Sequence, residues 1–291
     1  MPPISSPGRA ETSPRGCRLI VNADDLGWSE GVNAAICALH DEGIVTSASL
    51  MVGAPALSDA LARLRTRPHL AVGLHLTLVA GPSLLPPREI PHLADERGWF
   101  SGNCVRAGVR YTFLPACRRE LRRELAAQFA AFERCGLGWS HVDSHLHFAL
   151  VPVFFREALK LCRGYPVIGF RIPEDDYPLY RRLYPREAPR QRALAGCFSF
   201  LCASQRRAVE RAGYRTTERC FGLFRTGRLD AAYLERLAGE LPDGEFEMHC
   251  HPDLSTVPGK AEFEALRSGE FRRALEERGV VLSTYTSLEH P

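Results

Sequence analysis

The chain has 291 residues, 45% of them hydrophobic, and a formal net charge of +3. That length allows about two domains of ~150 residues or one barrel of ~250, with ample apolar material for a large core. The charge is too small for a dedicated nucleic-acid binder, so no nucleic-acid partner is expected, and the two lysines, Lys160 and Lys260, weigh against Schiff-base chemistry.

Residues 1–16, rich in Pro, Ser and Gly and without the apolar core of a signal peptide, read as a disordered tail ahead of a single domain over 17–291. The first strand is "RLIVN" (18–22), closed by Asp24 and Asp25. Ser29 can cap a helix that carries Val32, Ile36 and Leu39 on one face and stops at Gly43. "TSASLMV" (46–52) and "LAVGLHLTL" (70–78) follow as apolar strands rich in β-formers. Residues 79–116, rich in Pro and Gly, break the rhythm as an insertion. Across 117–136, Leu121, Leu125, Phe129 and Phe132 form one helical stripe with the arginines elsewhere, which reads as a solvated face opposite a buried one. "WSHVD" (139–143) and "VIGFRI" (167–172) are further strands, and 173–216 is a second insertion. Leu234, Leu237, Ala238 and Leu241 repeat helical spacing, and "EFEMHC" (245–250) and "VVLSTY" (280–285) complete the strands.

Strand-then-helix repetition predicts an α/β fold with a mostly parallel sheet, either a (β/α) barrel or a doubly wound sheet. No run approaches the ~18 apolar residues of a membrane span, so no transmembrane segment is expected. The ten cysteines contain no C-x-x-C pair, which argues against a zinc ribbon or a thioredoxin-type motif and for a reduced, cytoplasmic chain.

In parallel α/β folds functional groups collect where strands end. Asp24 and Asp25, His75, "HVDSHLH" (141–147), Arg171 and "HCHP" (249–252) all fall at or near such ends. Taken singly, His75 in an apolar strand reads as a core histidine and the paired aspartates as helix caps. Three histidines and one aspartate within seven residues are different, because they concentrate imidazole where it can bind a metal or move protons.

"VNADDLG" (21–27), "GLH" (73–75), "HVDSHLH", "FRIP" (170–173) and "MHCHP" (248–252) resemble, in the same order, the motifs of the YdjC/ChbG carbohydrate deacetylases, over about residues 18–288. "LIVNADDLG…GIVTSASLMV…GLHLTLV" looks most like the hopanoid-biosynthesis-associated HpnK branch. The resemblance implies a distorted (β/α) barrel and a metal-dependent hydrolase that removes the N-acetyl group of an amino sugar. It places the ligands of one divalent ion (Mg²⁺ or Zn²⁺, with Mn²⁺ or Co²⁺ as alternatives) on Asp25, His75 and His145. It makes Asp24 the catalytic carboxylate and His251 the acid. His141, Asp143, His147 and Arg171 match further motif positions as supporting or substrate contacts, and His249 is the rival for the acid's role. Two positions depart from the pattern, Leu26 where many relatives have Phe and Ala149 where they have His.

An HpnK-like substrate would be an N-acetylglucosaminyl hopanoid glycolipid, met at the inner membrane face. The insertion's Tyr177, Tyr180, Tyr184, Phe198, Phe200 and Leu201, mixed with arginines, are material for an amphiphile groove or a peripheral membrane contact; a barrel-flanking excursion or a homodimer interface is the plainer reading. Another metallohydrolase, such as a phosphoesterase, and a non-catalytic sugar- or lipid-binding barrel are the alternative functions.

Overall fold

The "RLIVN" run forms the middle of the longest strand, β1 (Cys17–Leu26), which is buried along nearly its whole length. In the computed structural model, which describes residues 16–289, β1 is the axis of a parallel sheet whose other members are β2 (Ser47–Leu50), β3 (Ala71–Leu76), β4 (His141–Ser144), β5 (Gly169–Phe170), β6 (Arg219–Phe221), β7 (Gly244–Cys250) and β8 (Val281–Leu282). The order is β5-β4-β3-β2-β1-β7-β6, with β8 pairing the start of β1. Every pairing is parallel.

The sheet curls until its ends meet. Gly169 of β5 makes a parallel bridge to Arg215, Phe170 N–H donates to Arg215 O (2.9 Å), and Cys220 N–H in β6 donates to Glu174 O (2.9 Å). The result is one α/β domain with a distorted barrel, in which a few backbone bonds close what a full ladder closes in a regular one. The seven strands expected from sequence are present. β6 was not anticipated, because three residues beside an insertion carry too little periodicity to register.

Helices cover the outside. α1 (Glu30–Asp41) starts where Ser29 Oγ accepts the Val32 N–H (3.1 Å), and α2 (Leu57–Leu64) follows β2. After β3 come α3 (Cys104–Phe113) and α4 (Pro115–Arg134). The α4 stripe of Leu121, Leu125, Phe129 and Phe132 is fully buried, each side chain contributing about 1.5–3 kcal/mol of apolar burial. α5 (Pro152–Cys162), α8 (Ala231–Glu240), α9 (Val257–Arg267) and α10 (Gly269–Arg278) complete the ring. Among the described residues no helix is long and apolar enough to cross a membrane.

The second insertion folds as α6 (Tyr177–Leu183) and α7 (Ala188–Arg211). Its residues do not act together as a groove lining. Tyr177, Tyr180 and Tyr184 turn inward around Phe224, and only Phe198 and Leu201 reach an apolar groove, while Phe200 stands exposed. Aromatic rings beside a second apolar surface bury first, and the arginines between them are left to solvent. The tail expected over residues 1–16 lies, except for Gly16, outside the described residues.

Candidate active site

A regular strand sends successive side chains to opposite faces, which would separate Asp24 from Asp25. β1 avoids this with an irregularity: its register against β2 shifts between Ala23 and Leu26, and Asp25 takes φ +65°. A left-handed conformation at a non-glycine residue costs on the order of 1–2 kcal/mol and is kept where the surroundings impose it. Here it turns both carboxylates into one polar cluster, where each meets different partners.

Asp24 belongs to Arg171. The guanidinium bonds both Asp24 oxygens (2.8 Å each), Asp143 Oδ2 (2.6 Å) and Glu247 Oε1 (2.6 and 2.8 Å). Asn22 Nδ2 donates to Asp24 Oδ1 (2.8 Å). Burial alone would raise the Asp24 carboxyl, but Arg171 outweighs it and holds the pKa well below the ordinary carboxylate value.

Asp25 belongs to two imidazoles. Its Oδ1 lies 3.3 Å from His75 Nε2 and 2.9 Å from His145 Nδ1. Burial opposes ionisation here too, and the two histidines overcome it to lower the pKa far below its usual value. The β3–β4 register sets His75 directly beside Asp143, and His75 Nδ1 donates to Asp143 Oδ1 (2.8 Å), leaving Nε2 facing Asp25. Desolvation pulls the His75 pKa down, but Asp143 and Asp25 push it to about 10.

His145 reaches the cluster because β4 ends at Ser144 in a tight turn. Leu146 and His147 both adopt left-handed angles (φ 51° and 53°), and Ser144 Oγ accepts the Ala149 N–H (2.8 Å) to hold the turn. Leu146 is thereby half exposed, whereas His147 is partly buried and turns against His249, with ring centroids 4.7 Å apart. At the two departures from the family pattern, Leu26 and Ala149 are both buried.

His141 lies lower in the barrel. Ser49 Oγ donates to Asp143 Oδ2 (2.8 Å), so its other neighbour, His141 Nε2 at 3.0 Å, is the donor to Ser49. This fixes a neutral tautomer, and burial brings the His141 pKa to about 4. Gly73 makes room for the ring: a Cβ there would come within 2.4 Å of it. Gly169 does the same for Tyr285, whose hydroxyl donates to Glu247 Oε2 (2.6 Å) beneath Arg171.

The two histidines at the end of β7 differ. His249 is buried, its Nδ1 is 3.6 Å from Cys220 Sγ, its Nε2 has no protein partner, and burial together with His147 holds its pKa well below 6.5. His251 is 30% exposed at its side chain, with Nε2 3.8 Å from Asp24 Oδ2. It lines a cavity of about 190 Å³ with Asp24, Asp25 and Trp28.

Among the described residues, two overlapping groups have ligating atoms within 4.8 Å of one another, Asp25/His75/His145 and Asp24/His75/Asp143. The second shares Arg171 between its carboxylates, and a cation placed there would face a guanidinium. The first contains no such charge. Its Asp25–His75 separation (3.3 Å) is that of neighbouring ligands of one tetrahedral ion at ~2.0–2.2 Å, the Asp25–His145 pair (2.9 Å) is at hydrogen-bond distance, and Asp143 orients His75 from behind. The donor set therefore fits a divalent ion.

Sequence reasoning missed Glu247, Asn22, Ser49 and Tyr285. Glu247 had a legible signal: it is an acid in an apolar strand, two residues before His249 and so on the same face. Asn22 stands in the same relation to Asp24.

Residues 18–277 match the family described as YdjC-like protein. The chain belongs to the YdjC-like family. Relatives include a carbohydrate deacetylase of Brevibacillus brevis, 40% identical over 150 residues (52% of this chain, 57% of that protein). In that match the chain spans little more than half of the relative's length. Another, the carbohydrate deacetylase of Thermoanaerobacter pseudethanolicus, is 25% identical over 285 residues, 93% of this YdjC-like chain and 99% of that protein. A crystal structure from Enterococcus faecalis, of a protein named for cellobiose-phosphate cleavage, has a TM-score of 0.72 at 26% identity, covering 94% of this chain and 98% of that one.

Proposed function

We propose that this YdjC-like protein is a metal-dependent deacetylase that hydrolyses the N-acetyl group of an amino sugar. The observation that carries the reading is the division of the adjacent acids, Asp24 bound to Arg171 and facing His251, Asp25 bound to His75 and His145. The naming of relatives as carbohydrate deacetylases supports it.

Asp25, His75 and His145 would hold one divalent ion, Mg²⁺, Zn²⁺, Mn²⁺ or Co²⁺, which when bound supplies Lewis acidity for the acetyl carbonyl and acidifies a water. Asp24 takes the proton of the attacking water, and Arg171 keeps that carboxylate ionised and fixed in orientation. His251 protonates the departing nitrogen, because an amine anion is a very poor leaving group. The products are acetate and the free amine. Asp143, Ser49 and His141 position His75 from below, and His249 with His147 forms the neutral wall beside His251. Phosphoester cleavage fits less well, since Arg171 is already engaged by three carboxylates.

The narrower substrate reading is an N-acetylglucosaminyl hopanoid glycolipid, as in the HpnK branch, met by a cytoplasmic enzyme at the inner membrane face. Its support is an apolar groove of about 520 Å³ between α3 and α7, lined by Val105, Val109, Phe113, Phe198 and Leu201 and starting at Leu146 and His147, directly after His145. Val105, Val109 and Phe113 are exposed there, an arrangement that suits a large apolar tail.

The test compares leaving groups. His251→Ala should keep its metal, fail on N-acetyl sugars and retain activity on a small aryl acetate, whose leaving group departs as a stable anion. His249→Ala should show a milder, uniform loss; reversed phenotypes would make His249 the acid. Mass spectrometry of an acetylated glycolipid incubated with metal-loaded protein should show loss of one acetyl group, and an unchanged lipid alongside a deacetylated free sugar would remove the glycolipid reading.

A further inference from the structure

Two of the chain's three tryptophans meet at the mouth. Trp28 follows Asp25 by three residues, and its N–H donates to Asp25 O (2.9 Å), so the same turn that aims the carboxylate also places the indole. The Trp28 ring stacks on the His145 imidazole (centroids 6.2 Å, planes 19° apart) and lines the cavity of Asp24, Asp25 and His251. Trp99 arrives from the first insertion and stands nearly perpendicular to Trp28 (5.9 Å, 84°). Its backbone is pinned by Asp95 Oδ1 (2.8 Å) and by an antiparallel bridge to Pro82, yet its side chain is 40% exposed. The backbone so held presents a large indole beside the polar site.

The third tryptophan supplies a contrast. Trp139 is buried among Phe129, Phe132 and Tyr165, and its Nε1–H donates to Glu133 (2.7 Å). Neither Trp28 nor Trp99 has a protein acceptor for its indole N–H among the described residues. Two aromatic planes at a right angle, each with a free N–H, fit a ring that has C–H bonds on its faces and hydroxyls at its rim. A pyranose has that form. An alkyl chain would leave the N–H groups unused and has a groove of its own between α3 and α7.

We propose that Trp28 and Trp99 form a corner that binds the pyranose ring of the substrate and holds its acetamido group toward Asp24, Asp25 and His251. The assignment rests on the deacetylase reading for its orientation, but ring binding can be measured without turnover.

The experiment uses the Trp139→Phe protein, in which Trp28 and Trp99 are the only indole emitters. Titration with N-acetylglucosamine should give a saturable change in emission that acetamide does not reproduce. Trp28→Leu and Trp99→Leu should each raise KM for acetate release from the sugar by about tenfold, with the loss in KM rather than kcat, and Phe at either position should restore part of it. Trp99 lies on the surface, so its variant remains informative if Trp28→Leu folds poorly. Unchanged KM in Trp99→Leu, or an emission change reproduced by acetamide, would overturn the proposal. So would a kcat loss with loss of bound metal in Trp28→Leu and no KM effect in Trp99→Leu, which would assign Trp28 to supporting His145. If the parent releases no acetate from any N-acetyl sugar, the deacetylase reading fails, and the emission titration still decides whether the corner binds the ring.

Discussion

His75 and His249 lie on either side of β1 in the same barrel mouth, and each is 1% exposed. His75 sits between Asp143 and Asp25, and its pKa rises to about 10; His249 sits between Cys220 and His147, and its pKa falls well below 6.5. Burial works against the charged form in both, so the carboxylates decide the difference. One side of the mouth therefore attracts positive charge, whether a proton or a metal ion, and the other stays neutral. Arg171 marks the boundary, satisfying Asp24, Asp143 and Glu247 without drawing on Asp25.

The most damaging way to break this division is to remove its boundary. Arg171→Met removes the guanidinium shared by three buried carboxylates, leaving His75 to face Asp143, and should cost about 3–5 kcal/mol in urea unfolding. A cost below about 1 kcal/mol would mean that those acids are not ionised in the folded protein.

The pH dependence of stability should differ in sign between the two sides. His249, with His147 (about 3) beside it, is depressed in the fold, so between those values and 6.5 the unfolded chain binds more protons and stability falls with falling pH. From pH 7 to pH 5 His147 should cost roughly 2 kcal/mol, and His147→Leu should flatten that limb. His75 is raised, so its contribution is full below about 6.5 and lost as pH climbs through about 10. That alkaline limb belongs to metal-free protein and should vanish when a divalent ion occupies Nε2. An acid limb unaltered by His147→Leu would remove the neutral half of the comparison.

A smaller effect probes the support beneath His75. Ser49→Ala removes the hydroxyl shared by Asn22, His141 and Asp143, and should cost about 1–3 kcal/mol and weaken metal binding by roughly tenfold. Unchanged metal affinity would show that Asp143 orients His75 without that link.

How much of this was readable beforehand depends on range in the chain. The strands were legible as apolar runs, and the density of His141, Asp143, His145 and His147 within seven residues pointed to a metal or proton-transfer site. Density could not reveal that β4 stops at Ser144 and turns through two left-handed residues, so that His145 meets Asp25 while His147 meets His249. Tyr285 was silent for a related reason, since Gly169 is brought to it only by barrel closure, and Glu247, marked by its parity with His249, gave no sign that Arg171 would be its partner. The bulge at Asp25 was equally hidden, since "ADDLG" gives no sign that alternation fails between its two acids.

The central claim is that these adjacent acids do different work, and the most direct measurement is paired metal analysis and turnover of Asp24→Asn and Asp25→Asn. Metal content by mass spectrometry should remain near one ion per chain in Asp24→Asn while acetate release falls by roughly 10²–10⁴-fold. Asp25→Asn should lose the ion. Equal loss of metal in both variants would contradict the division and make the two acids a shared ligand pair.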